Sequence, residues 1–340
     1  MARPTLEIVA ARAAVSRQTV SNVLNSPHLV RPETRTRVEA VIAELGYRPN
    51  RAAQTLKTRR SQLVGARIEP PRDGINRVVL THFLHALTSR AQLQGLRVML
   101  FAADEDRDEI GQYEQLLEDH DLDAFVLTDT HVGDARTAWL AERQVPFVTF
   151  GRPWGALSAY HSWVDVDGGA GTRAATTHLL DIGHRRIAFL GWPSDAAAGD
   201  DRRDGWAQTC AAAGIHDERL DVRVPEGLEH GRAATAKLLD LADPPTALVC
   251  VTDSLALGVW AEVTRRGLRV GRDVAIVGFD DSPTAAVIGL SSAAQPMDQA
   301  AAACLELMHT VLDAPQPAPT PPGPVLLAPQ LVLRASTARD

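Results

Sequence analysis

Residues 15–25 read VSRQTVSNVLN. At helical spacing Val20, Val23 and Leu24 share one side, with Val15 just ahead of them. Arg17, Gln18, Ser21, Asn22 and position 25 share the other. A solvated helix face ordinarily carries Glu and Lys. This one carries a forked donor and side-chain amides, the groups that reach base edges in the major groove. A plain polar surface helix fits the same eleven letters, so the flanks have to decide. Upstream, TLEIVAARAA (5–14) predicts another short helix. Thr5 is a candidate N-cap, Glu7 suits the positive helix end, and Leu6, Val9, Ala10 and Ala13 form an apolar stripe. Ala14 and Val15 leave room only for a tight join, and Ser16 can cap the second helix. Downstream, RPETRTRVEAVIAELG (31–46) predicts a third helix. Pro32 suits its first position, Val38, Val41, Ile42 and Leu45 are buried, and Gly46 ends it. Three stripes close one small core, and two short helices with so brief a turn are a helix-turn-helix whose second helix enters the major groove.

Charge agrees. Residues 1–60 hold 11 Lys and Arg against 4 Glu, a balance of +7, and residues 61–340 carry −14, which brings the chain to −7. A basic head on an acidic body suits a nucleic-acid-binding arm on a soluble domain. In YRPNRAAQTLKTRR (47–60), Pro49 stops the third helix and Asn50 can cap another turn. RAAQTLK is too short to hold a helix alone and suits an element that folds on binding.

The 340 residues exceed one average domain. After the head, the runs QLVGARI, LRVMLFAA, AFVLTD, PFVTFG, RIAFLGW, ALVCVTD and VAIVGFDD alternate with helical stretches. Such alternation predicts parallel sheets covered by helices on both faces, in two α/β lobes. Cys210, Cys250 and Cys304 are isolated, with neither a disulfide framework nor zinc spacing, which fits a reducing cytosol. No metal or other cofactor is expected. No apolar run reaches membrane-spanning length, and the N-terminus lacks a signal core, so the expected location is cytoplasmic. Phosphate loops, dinucleotide fingerprints, HExxH and GxSxG are all missing, so an enzyme is not expected. Asp280 and Asp281 form a carboxylate pair, but at a strand end they more often orient a loop or a lobe interface.

The stretches TLEIVAARAAVSRQTVSNVLN (5–25) and RPETRTRVEAVIAELGYRPNRAAQTL (31–56) resemble the DNA-binding head and hinge of the lactose-repressor/galactose-repressor family of bacterial transcription regulators. VDVDGGAGTRAATTHLLDIGHRRIAFLG (164–191), DDRRDGW (200–206), TDSLALGVW (252–260), GLRVGRDVAIVGFDDSP (267–283) and LAPQLVLRAST (327–337) resemble that family's core, in the expected order. The resemblance implies a three-helix head (1–48), a hinge helix (49–60) and a core (61–340) of two doubly wound lobes like a periplasmic binding protein. The first lobe would be about 61–162 plus 293–323 and the second about 163–292 plus 324–340. AAAACLELMHTVL would return to the first lobe, and PQPAPTPPGP (315–324) would cross back as a loop rather than serve as a PxxP ligand.

By the same resemblance the DNA contacts would be Thr5, Ser16, Arg17, Gln18, Thr19, Ser21, Asn22, Tyr47, Asn50, Ala53, Gln54 and Leu56. Leu56 would wedge into the minor groove of a near-palindromic double-stranded operator held by a homodimer. Open α/β sheets bind ligands at strand C-termini, so a cleft between two lobes is the expected effector site. Asp253, Trp192, Phe279 and Asp280 follow strands there. Asp253 and Arg202 match family positions that contact the effector, and Arg72 lies near a strand end of the first lobe. An acid, an arginine and an indole face make a sugar site. Two plainer readings stay open: Asp253 as a helix cap, and Trp192 and Trp206 as core. The chain departs from the family at Asn22, Arg31 and Thr252, and VPEGLEHG (224–231) lacks the aromatic that often stacks on the ligand. The expected function is a repressor of carbohydrate uptake or catabolism genes, released by a sugar. The alternative is a soluble sugar-binding protein of a transport system, which has no use for a basic head.

Overall fold

The computed structural model of the chain describes residues 4–47, 60–68, 78–155, 160–194, 196–314 and 323–338. Two units emerge, Met1–Ser61 and Gln62–Asp340. In the first, α1 (Leu6–Arg12), α2 (Arg17–Asn25) and α3 (Pro32–Leu45) enclose Val9, Ala10, Ala13, Val20, Val23, Val38, Val41 and Tyr47, with Leu6, Val15, Leu24, Ile42 and Leu45 at the edge. These are the apolar stripes of the sequence. Gly46 ends α3 at φ 60°. Arg37 Nε donates to the Ala13 carbonyl at 3.1 Å, closing the end of α1 against α3.

The turn between α1 and α2 holds Ala14 at φ 52°, a left-handed conformation in which a Cβ is crowded. Ala14→Gly is therefore expected to stabilise the head by about 0.5–1 kcal/mol, after allowance for the extra freedom of glycine in the unfolded chain. Thermal unfolding of the two full-length proteins checks this, and an unchanged or lower head midpoint would count against a strained turn.

The second unit holds two six-stranded sheets. The first sheet uses β1 (Leu63–Ile68), β2 (Arg97–Ala102), β3 (Ala124–Leu127), β4 (Phe147–Phe150), β5 (Ser162–Val166) and β11 (Val325–Leu327), in the order β11-β5-β4-β3-β1-β2, all parallel. Two apolar clusters cover its faces. One draws on α4 (Val78–Leu93) and α12 (Met297–Asp313), the other on α5 (Asp106–His120) and α6 (Ala135–Glu142). The second sheet uses β6 (Ile187–Gly191), β7 (Asp221–Arg223), β8 (Ala247–Cys250), β9 (Ala275–Asp280), β10 (Ser291–Ala294) and β12 (Gln330–Val332), in the order β12-β10-β9-β8-β6-β7. Only β12 runs antiparallel to its neighbour among these described strands. Around it pack α7 (Gly168–Asp181), α8 (Ala197–Ala212), α9 (Leu228–Leu239), α10 (Asp253–Arg265) and the short α11 (Pro283–Ile288). Trp206 is fully buried here, its indole N–H donating to the Ile187 carbonyl, so it is core.

The lobe boundaries differ from expectation. β5 completes the first sheet before the chain crosses at Asp167, four residues later than the expected 163. Both α12 and β11 belong to the first lobe. The return therefore falls at Ala328 and Pro329, after the proline-rich segment and not within it. The middle passage is Gln295 and Pro296, between β10 and α12. The displaced boundaries adjoin short strands, β5, β10 and β11, that lie outside the seven runs read as strands.

Candidate DNA-reading face and effector cleft

Ser16 caps α2. Its hydroxyl accepts from the Thr19 N–H at 3.0 Å and lies 2.9 Å from the Thr19 hydroxyl. With the helix start pinned and Val20 and Val23 buried, Arg17, Gln18 and Asn22 are carried on the outward face. Arg17 pairs with Glu7 at 2.9 Å, and Gln18 donates to Asn22 at 2.9 Å. The guanidinium holds the Glu7 carboxyl below its usual range. An exposed pair of this kind is weak enough to exchange for a base edge or a phosphate. Thr5 precedes α1 and is exposed, with no side-chain cap bond. Ser21 is half-buried. Tyr47 departs from expectation, because it is 8% exposed within the head core, and burial raises its phenol pKa. Its ring packs against the core of the head. Asn50, Ala53, Gln54 and Leu56 lie outside the described residues, as does Arg72.

In the second unit, the C-terminal strand ends of both lobes meet. Arg152 follows β4 of the first lobe. Its guanidinium pairs with Asp165 at 2.5 Å, donates to the Val166 carbonyl at 3.2 Å, and reaches Asp201 of α8 in the second lobe at 3.4 Å. Burial raises the Asp201 pKa, and Arg152 and the Gly169 N–H, 2.9 Å away, pull it back. The next residue, Arg202, is 9% exposed. Its guanidinium lies 3.8 Å over the Phe279 ring and 5.4 Å from that of Trp192. It donates to the Val251 carbonyl at 2.6 Å and stands 4.0 Å from Asp280. Burial raises the Asp280 carboxyl and Arg202 opposes this; Gln295 also donates to it, at 2.7 Å. Asp280 and Asp281 hold φ 118° and 53°, backbone strain of the kind that gathers at ligand sites. Close helix packing places Arg202. A Cβ on Gly205 would fall inside the Gly169 carbonyl and the Thr172 hydroxyl, so α8 lies directly on α7.

Asp253, expected to touch the effector, is 2% exposed, with one hydrogen bond on each carboxylate oxygen. It accepts from the Ser282 N–H and from the Ser292 hydroxyl, each at 2.6 Å. It ties α10 to α11 and β10, and Thr252 beside it is the helix cap. Asp253→Ala is accordingly expected to cost about 1–3 kcal/mol of stability, because both buried donors lose their acceptor. Denaturant unfolding checks this; intact stability with lost effector binding would restore the original reading. Phe279, at 1% exposure, acts as the surface under Arg202 and not as a ligand platform. Trp192 is half-buried, with its indole N–H on Glu226.

Arg152, Asp165, Asp201 and Glu226 were not singled out from the sequence. Arg152 was within reach, since it stands two residues past the run PFVTF, where such sheets place ligand groups. A cavity of about 570 Å³ also opens at the ends of β1, β2 and β3, lined by Arg67, Asp104, Asp129, His131 and Arg136 among others. Asp106, His131 and Asp134 cluster there at metal-ligand distances, but Arg136 lies 2.7 Å from Asp134 and 3.3 Å from Asp106. That guanidinium already supplies the cation.

A helix-turn-helix head beside a two-lobed core with charged groups converging at its strand ends defines a ligand-binding DNA regulator. Residues 5–50 match the model of bacterial regulatory proteins of the lacI family, and residues 176–337 match a periplasmic binding protein-like domain. The HTH-type transcriptional regulator CelR of Thermobifida fusca is 38% identical over 295 residues, 83% of this chain and 84% of that one. The solved CelR–cellobiose complex is 31% identical with a TM-score of 0.72, covering 98% of this chain and 100% of that one. The lac repressor dimer bound to operator and the anti-inducer ONPF is 27% identical with a TM-score of 0.81, covering 99% of each. The chain belongs to the lacI family of bacterial regulatory proteins, and is a DNA-binding transcriptional regulator. No helix among its described residues is long and apolar enough to cross a membrane.

Proposed function

We propose that the chain is a cytoplasmic, homodimeric repressor of carbohydrate uptake or catabolism genes that a sugar releases from a near-palindromic operator. One observation carries the control mechanism: Arg152 of the first lobe pairs with Asp201 of the second, next to Arg202 at the ends of both sheets. A ligand that competes for these groups biases the relative rotation of the lobes. It does so only by its difference in affinity for the two arrangements, typically about 1–3 kcal/mol of coupling. The hinge at 49–60 and Leu56 would be the element so biased. The cellobiose bound to CelR supports a saccharide as the effector class. An apolar groove formed by Ile68, Leu80, Leu84 and Leu100, beside the edge strand β2, supports pairing with a second copy, and the similar lac repressor structure is a dimer. A transport-type sugar-binding protein would share the core but leave the head unexplained.

Mobility-shift titration of selected operator DNA against a saccharide panel tests this reading. Release by a neutral sugar is expected. Coupling is reciprocal, so operator should weaken sugar binding by the same factor; equal sugar affinities with and without operator would remove the cleft as the control site. On the DNA side, Arg17 suits guanine, and Gln18 and Asn22 suit adenine edges. Gln18→Ala is expected to relax the base preference within each half-site by about 1–3 kcal/mol at the affected position. The same selected consensus in that variant would refute the assignment.

A further inference from the structure

Glu226 stands on the loop between β7 and α9, at the strand-end side of the second lobe. Its two carboxylate oxygens are held by the ends of two neighbouring strands. Oε2 accepts from the indole N–H of Trp192, just after β6, and Oε1 from the hydroxyl of Thr252, just after β8, at 2.8 Å. Thr252 is itself oriented, because the same oxygen accepts from the Leu255 N–H at 3.3 Å as it caps α10. The other acids here are balanced differently. Asp165 and Asp201 share Arg152, and Asp280 faces Arg202. Glu226 has no ion pair within 4.0 Å among the described residues, and the side chains that donate to it, Trp192 and Thr252, are neutral. A carboxylate offers about four lone-pair positions, and two are taken. What remains is a fixed acceptor whose charge has no directly bonded cation and is offset only from a distance by Arg202, next to an indole that the same carboxylate holds in place.

We infer that Glu226 sets the charge class of the effector, accepting hydroxyls of an uncharged saccharide and rejecting anionic ones. The inference rests on reading the cleft as the effector site. A sugar hydroxyl donates into the open lone pairs of Glu226 while an apolar sugar face lies on Trp192. A sugar acid or phosphate brings like charge against a carboxylate that no cation touches directly, since Arg202 acts on it only from beyond ion-pair distance. The loop that lacks the family's frequent aromatic thus carries a different reader, and Trp192 supplies the flat surface from one strand away.

Calorimetric titration of the full-length protein tests this with cellobiose, maltose and melibiose, each beside its own aldonic acid. The pairs differ chiefly in the carboxylate and the opened ring. Wild type is expected to bind at least one neutral sugar and to discriminate against the matching acid. Glu226→Gln keeps the side-chain size and removes the charge. It should narrow the neutral-over-acid ratio by about 10-fold or more, the range of hydrogen bonds to charged groups. Glu226→Asp keeps the charge and should keep the discrimination even if affinity falls. Cooperative thermal unfolding of each variant confirms that it is folded. Sugar binding with an unchanged ratio in a folded Glu226→Gln protein overturns this inference alone. Absence of binding by any neutral saccharide overturns the sugar reading, and this inference with it.

Discussion

Arg202→Ala is expected to abolish the response to effector. The side chain joins the Phe279 ring, the Val251 carbonyl, Asp280 and the Trp192 ring in one buried contact. Truncating one member of such a charge pair at a binding surface costs about 2–5 kcal/mol, at least roughly 30-fold in affinity. Lysine is not a substitute, because it lacks the planar guanidinium that lies on Phe279. If sugar releases the operator, the variant should repress whether sugar is present or not. Calorimetry gives the affinity, and operator titration without sugar shows whether the protein still binds DNA. Sugar release at wild-type concentrations would remove Arg202 from the site.

Arg136→Ala should be the most destabilising of the substitutions considered. The guanidinium is fully buried in the first lobe and reaches Glu109 at 2.8 Å, Asp134 at 2.7 Å, the Thr128 carbonyl at 3.2 Å and the Asp129 carbonyl at 3.0 Å. Burial opposes its charge, but Asp134 and Glu109 outweigh that and raise its pKa. Glu109, 1% exposed, also accepts from the Tyr113 hydroxyl at 2.5 Å and pairs with Arg67 at 3.2 Å. Removing Arg136 leaves these acids with a single buried cation, and breaking such a pair costs about 3–5 kcal/mol. Denaturant unfolding measures the loss. The double replacement Arg136→Met with Glu109→Met should recover only part of it, because the Glu109 charge goes but Asp134 loses its cation and Arg67, without Glu109, keeps Asp129. A single-variant loss below about 1 kcal/mol would mean that the network is solvated and expendable.

The head was legible because its information is local. Val9, Ala13, Val20, Val23 and Val38 recur at helical spacing, and no distant residue is needed to bury them. The sheets were legible where β-branched runs cross them. β5 and β11 were not: SWVDV alternates, with only every second residue buried, and VLL follows a run of prolines. The cleft was half legible. Trp192 could be placed by the strand it follows, whereas Arg202 was named only through the resemblance of DDRRDGW to the family. The structural ties of Asp253 were not legible, because its two donors lie 29 and 39 residues downstream and nothing in TDSLALG foretells Ser282 and Ser292 closing on it. Glu226 went unnoticed for the converse reason. An acid in a loop reads as solvated until Trp192 and Thr252 are seen on either side of it. Tyr47 shows the same limit, since a ring at the end of the last helix of the head can turn inward or outward, and here it completes the core.

The three passages between lobes run side by side. The Asp167 N–H donates to the Leu327 carbonyl at 2.8 Å, and Ala294 pairs with Gln330 across the β10–β12 ladder. A body hung on one tether swings in every direction, whereas three adjacent tethers leave one soft axis and stiffen the others. The lobes therefore have close to a single degree of freedom, and a ligand at the strand ends acts along that coordinate alone. Tilt and slide, which would dissipate the bias among many poses, are suppressed by the connectivity itself. A cut in the chain between β11 and β12, at Ala328 and Pro329, would remove none of the side chains named at the ligand site. It would still release one tether, turning a hinge with a defined axis into a loose joint.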